Sequence, residues 1–172
     1  MKLLTIIFLT LCSFAFSQEH GVDSKNIIYG EVLANSDQLI SANYERNYSL
    51  SRDNRFRIAR RAGIGLGFAD QAKNDMTPRY SIPVQVIVLY GNHNNVEFIL
   101  GVTPTFGKNF TNTLKDPAVT YRKYENMYYV GVGYRLIATG GFVVRVNPMI
   151  EFPSVNNRKA GFVLGVSLGY AL

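Results

Sequence analysis

Bulky apolar residues fall on even-numbered positions of this chain, in runs of about ten residues. The clearest run is Ile82, Val84, Val86, Val88 and Tyr90, and a second follows at Val96, Phe98, Leu100, Val102 and Phe106. Eight such segments occur, roughly at 26–34, 39–48, 56–68, 80–90, 95–106, 127–137, 142–152 and 160–172. Turn residues separate them, and no stretch after the first two dozen residues keeps a helical period. Alternation of period two over this length predicts a β-strand in each segment.

The odd positions carry a different population. Gly63, Gly65, Gly67, Gly101, Gly131, Gly133, Gly165 and Gly169 lie there with small polar residues. So do most of the strand charges: Glu31, Glu45, Glu97 and Glu151 against Arg57, Arg61, Arg135 and Arg145. Eight strands closed into a barrel enclose a space just wide enough to be filled by side chains. The even-face bulk cannot fit inside such a barrel, whereas glycines, small polar groups and paired charges can. The apolar face is therefore expected to point outward, which is stable in lipid, and closure pairs every backbone donor and acceptor where no water reaches. The predicted fold is all-β, an eight-stranded antiparallel up-and-down transmembrane β-barrel. An isolated buried charge costs several kcal/mol, so the eight interior charges are expected to form a salt-bridge network that plugs the lumen.

Connection lengths give the expected barrel a polarity. Outer loops fall at 35–38, 69–79, 107–126 and 153–159, and inner turns at 49–55, 91–94 and 138–141. The outer loops carry, among other charges, Arg79 and Glu125. Aromatic residues sort into two girdles. Phe68, Tyr80, Phe106, Tyr128, Phe152 and Phe162 mark the outer ends of the strands; Tyr48, Phe56, Tyr90, Phe98, Tyr134, Phe142 and Tyr170 mark the inner ends. Arg46 and Arg60 break the pattern by sitting on the even face near the inner end. Either they snorkel to headgroups, or a bulge near Arg60 and Arg61 turns the chain over.

The first residues change the picture from fold to address. Lys2, the apolar run LLTIIFLTL and the small-residue exit CSFAFS resemble a secretory leader cleaved after Ser17, with 18–25 left as a short periplasmic tail and 26–172 as the barrel. The apolar run is short for a membrane-spanning helix. Cys12 is the one cysteine in 172 residues and lies in the leader after Leu11, which does not fit a lipidation site, so no disulfide or thiolate metal site is expected. Charged residues make up 17% of the chain, below the ~25% of soluble domains. The net charge of +6 comes from scattered Lys and Arg, which argues against nucleic acid.

The stretches NIIYGEVLANS, ISANYERNYS, RAGIGLGF, SIPVQVIVLYGNHNNVEFILGVTPTFG, YVGVGYRLI, GGFVVRVNPMIEF and GFVLGVSLGYAL resemble the small outer-membrane β-barrel proteins of Bacteroidetes-type bacteria, and in architecture the OmpA/OmpX-type barrels. The resemblance implies a Gram-negative outer membrane, with lipid and lipopolysaccharide as partners, assembly by the barrel machinery, and a monomer. In the final strand, Gly165, Leu168 and Tyr170 fit the spacing that machinery reads, although the chain continues to Leu172 and has Val163 where a polar residue is usual. Some barrels of this kind modify lipopolysaccharide with a His, a Ser and an acid. Here His20 falls in the tail and His93 in an inner turn, away from such a substrate, so no enzyme, cofactor or metal is expected. AGIGLGF lacks the spacing and following helix of a phosphate loop, and Asp70 to Asp75 is too poor in carboxylates to hold calcium. The expected role is structural or surface-interacting; a narrow gated pore, a lipopolysaccharide-modifying enzyme and a soluble lipocalin-like carrier are the alternatives.

Overall fold

The computed structural model describes residues 25–35, 38–71, 75–110, 120–153 and 160–172; the expected leader, His20 and parts of the expected outer loops lie outside them. Nine strand segments follow in chain order: β1 (Asn26–Asn35), β2 (Gln38–Ser49), β3 (Phe56–Gln71), β4 (Asp75–Ser81), β5 (Val84–Gly91), β6 (Asn94–Phe110), β7 (Thr120–Ile137), β8 (Phe142–Pro153) and β9 (Gly161–Ala171). Segments β4 and β5 form one stave, because their register against β3 and β6 continues through Ile82 and Pro83 without a slip. Pro83 has no N–H, so its pair with Gly63 keeps one bond, Gly63 N to Pro83 O at 3.0 Å. Opposite Ile82, Pro104 likewise keeps only the bond it accepts, at 3.0 Å.

All neighbouring staves are antiparallel, and β1 pairs with β9 to close eight of them into a barrel. A circuit of direct partners from Asn95 passes Arg135, Arg145, Ser167, Glu31, Ser41, Gly65 and Ser81. It returns to β6 at Thr105, ten residues beyond its start. Ten residues of ~3.3 Å set against eight spacings of ~4.8 Å tilt the strands by about 40° and give a radius of about 8 Å.

Several strands run further than the apolar alternation predicts. On the loop side, β3 and β4 stay paired to Gln71↔Asp75, and β6 and β7 to Phe110↔Thr120. These extensions are polar, and strand pairing needs only backbone; apolar bulk records where the outer belt lies, not where the ladder stops. At the other end the connections are tight. Asn54 takes a left-handed φ of 57° in the turn before β3, where a short polar side chain is tolerated. Gly91 has φ 129°, and any Cβ there would collide with the Asn94 carbonyl.

The alternation sets the two surfaces. Ile64, Tyr80, Val96, Phe162 and many other large even-numbered residues are exposed on the outside, and Ile58, Val88 and Val130 are half-buried there. Odd-numbered residues point in, but the interior is less bare than the glycines suggest. Ala59, Ile87, Leu89, Ile99, Tyr129 and Met149 form one buried apolar cluster. Ile27, Tyr29, Ile137, Val143 and Ala171 form another. Interior glycines make room for these larger partners. A Cβ on Gly101 would strike the ring of Tyr129 directly across the ladder, and one on Gly169 would strike Tyr29.

Candidate functional site: a charge network across the lumen

The same interior holds a group of fully buried charges. Glu45 on β2 and Arg135 on β7 stand on diametrically opposite staves, since four steps round the ring of eight separate them. Arg135 crosses the lumen and forks onto the Glu45 carboxylate, Nη1 to Oε1 at 2.6 Å and Nη2 to Oε2 at 2.9 Å. Its Nε also pairs with Glu97 on β6. Glu97 then accepts from Arg145 on β8, through Nε at 3.0 Å and Nη2 at 2.7 Å. A second group joins Arg61 on β3 to Glu31 on β1 at 2.9 Å. Glu31 also accepts from Ser167 Oγ at 3.0 Å, and Arg61 donates to Gln85 Oε1 at 3.3 Å.

One aromatic ring links the two groups. The guanidinium carbons of Arg61, Arg145 and Arg135 lie 4.8, 5.1 and 5.6 Å from the centre of the Tyr29 ring, within cation–π range. Three arginines and three glutamates around that ring make a neutral core. Neutrality matters because each of these side chains has lost its water, and an unmatched charge there is costly.

Of the eight charges singled out from the sequence, the structure brings together Glu31, Glu45, Arg61, Glu97, Arg135 and Arg145. Arg57 lies apart at the turn end, donating to the carbonyls of Gly91 (3.2 Å) and Asn92 (3.4 Å) and to Asn95 Oδ1. Glu151 is buried further toward the loop end, opposite Tyr129 on β7. Two charges expected in the outer loops are instead interior: Arg79 and Glu125 are 5% and 2% exposed. They sit on β4 and β7, within the polar extensions that sequence reading cut off, and their odd parity was the available signal. Tyr29 is an aromatic on the inner face, against the pattern of small odd-numbered residues, and its direct partner Gly169 leaves room for the ring.

On the outer face, Tyr80 and Phe106 are direct partners toward the loop end, as are Tyr128 and Phe152. Phe56 and Tyr90 pair toward the turn end, as do Phe142 and Tyr170. The β2–β3 register is unbroken through Arg46↔Arg60 and Glu45↔Arg61. There is accordingly no bulge at Arg60, and both Arg46 and Arg60 stay on the outer face. His93 lies in the turn between β5 and β6, where its carbonyl accepts from Ile137 N at 2.8 Å. Among the described residues no group of three or more His, Cys, Asp or Glu could hold a metal ion.

These features define a closed eight-stranded antiparallel barrel with a charged, filled lumen. The N-terminal β-barrel domain of Pseudomonas aeruginosa OprF has the same fold: TM-score 0.58 at 14% identity, covering 89% of this chain and 100% of that one. The Yersinia pestis outer membrane protein Ail aligns with TM-score 0.47 at 12% identity, over 87% of this chain and 100% of that one. No protein-family profile and no curated sequence matches the chain.

Proposed function

We propose that this protein is an integral outer-membrane β-barrel of a Gram-negative bacterium, exported through a cleaved leader, with a structural or surface-interaction role. The observation that carries the reading is the outer face, where large apolar side chains cover every stave and, among the described residues, no second layer packs on them. From Phe142 to Phe152 on β8, at about 2.5 Å of axial rise per tilted residue, the aromatic-bounded belt is about 25 Å tall, matching the apolar band of such barrels. The aromatic pairs at either end of the staves supply its interfacial girdles. Lipid and lipopolysaccharide are then its surroundings, the barrel-assembly machinery its route into the membrane, and a monomer its working form.

The diametric Glu45–Arg135 pair and the two buried apolar clusters support a plugged lumen. A narrow gated pore is the second reading, favoured by interior charge that runs from Arg57 at one mouth to Arg79 and Glu125 at the other. Two measurements test the proposal. The protein resists carbonate extraction and changes gel mobility on boiling if it is a lipid-embedded closed barrel; release by carbonate overturns that. Stable conductance in planar bilayers replaces the plug with the pore.

A further inference from the structure

The turn end of β2 and β3 carries an arrangement that a plain lipid-facing belt does not need. Arg46 and Arg60 are direct cross-strand partners on the outer face. Both guanidiniums lie over one ring, Tyr48, at 5.7 and 5.6 Å from its centre. Like charges directly opposite each other destabilise a sheet, and neither arginine makes an ion pair among the described residues. Beside them Lys25 and Arg46 border a cleft of about 380 Å³, with Asn47, Ser49 and Asn54 on its walls and no carboxylate in its lining. Asn47 is 5% exposed, and among the described residues its amide oxygen and nitrogen have no hydrogen-bond partner, which costs about 1–3 kcal/mol.

We infer that this corner is a binding site for one anionic glycerophospholipid headgroup of the periplasmic leaflet. The phosphodiester lies between Arg46 and Arg60, which both lie over Tyr48 and offer planar donor forks to its oxygens. The distal part of the headgroup turns round the rim into the cleft, where Lys25 selects against an ammonium. A lipid is the source, and not free phosphate, because Arg46 and Arg60 share the outer face with Tyr44, Tyr48 and Val86, all exposed apolar or aromatic residues. The inference rests on the membrane placement proposed above.

Native mass spectrometry of the protein, in micelles holding phosphatidylglycerol and phosphatidylethanolamine in equal amounts, tests it. The expected result is one retained phosphatidylglycerol, preferred roughly tenfold, the worth of one charge-assisted hydrogen bond. The R46Q/R60Q variant loses the preference. R46K/R60K, which keeps the charge and lacks the forks, retains part of it. Unboiled gel mobility confirms that each variant is folded. Equal retention of the two lipids, or an undiminished preference in folded R46Q/R60Q, overturns the site. Displacement of the lipid by millimolar inorganic phosphate overturns the lipid as its occupant. A carbonate-resistant protein with no lipid preference sinks this inference alone, whereas carbonate extraction sinks the membrane reading beneath it.

Discussion

Removing Glu45, Arg135 or both separates a balanced charge network from a collection of contacts. Glu45 is wholly buried and receives two bonds from Arg135. In Arg135→Gln the carboxylate of Glu45 stays behind with its counter-ion gone, and the core carries one net negative charge. In Glu45→Gln the imbalance is positive. Each single change is therefore expected to cost about 3–5 kcal/mol, as for other broken buried pairs. In the double variant the remaining Glu97–Arg145 and Glu31–Arg61 pairs are again neutral, so the cost falls below the sum of the singles by at least about 2 kcal/mol. The assay is equilibrium urea unfolding of protein folded in phosphatidylcholine vesicles. The chain has no Trp, so far-ultraviolet circular dichroism and gel mobility serve as the two probes. Single-variant costs that add within ~0.5 kcal/mol would refute the idea that the core is held by charge balance.

Other consequences are equally open to measurement. Among the described residues the Tyr29 hydroxyl has no hydrogen-bond partner, so Tyr29→Phe costs under about 1 kcal/mol, while Tyr29→Leu, which removes the face shared by three guanidiniums, costs about 2 kcal/mol or more in the same urea titration. Gly101→Ala drives a methyl into the Tyr129 ring and destabilises by about 1–3 kcal/mol; adding Tyr129→Ala recovers part of that, and failure to recover any points to a backbone effect instead. In the turn between β2 and β3, the Ser51 hydroxyl and the Arg55 N–H hold the Asp53 carboxyl below its ordinary pKa. The folded pKa is depressed, so the contribution of Asp53 to turn order is present above the unfolded pKa and is lost as pH falls through the folded one. Carbon-detected NMR of Asp53 follows that titration, and a midpoint at or above the ordinary Asp value contradicts the turn geometry.

Much of the barrel could be read from position parity alone. Alternation located all eight staves and assigned each side chain to a face, because a strand offers no third direction. It also placed Glu31, Glu45, Glu97, Arg61, Arg135 and Arg145 indoors. What parity could not supply was partnership. Glu45 and Arg135 are 90 residues apart, and they meet because the closed, sheared barrel brings two opposite staves to the same height. Ladder length was illegible for a different reason. Residues such as Asp70 and Lys108 have the chemistry of loops, yet they continue strands that have left the apolar belt. Arg79 and Glu125 have the same loop-like surroundings in the sequence, yet they lie on strands and face the interior.

The ladder that joins β1 to β9 has a kinetic consequence. It pairs Ile27 with Ala171 and Val32 with Val166, uniting the first strand with the last. Contacts so distant along the chain are slow to form. Until they form, β1 and β9 each expose a row of unpaired backbone groups to other chains or to lipid. No shorter portion of this barrel is self-sufficient, and every nascent copy must be shielded from its neighbours until its final eleven-residue strand has docked.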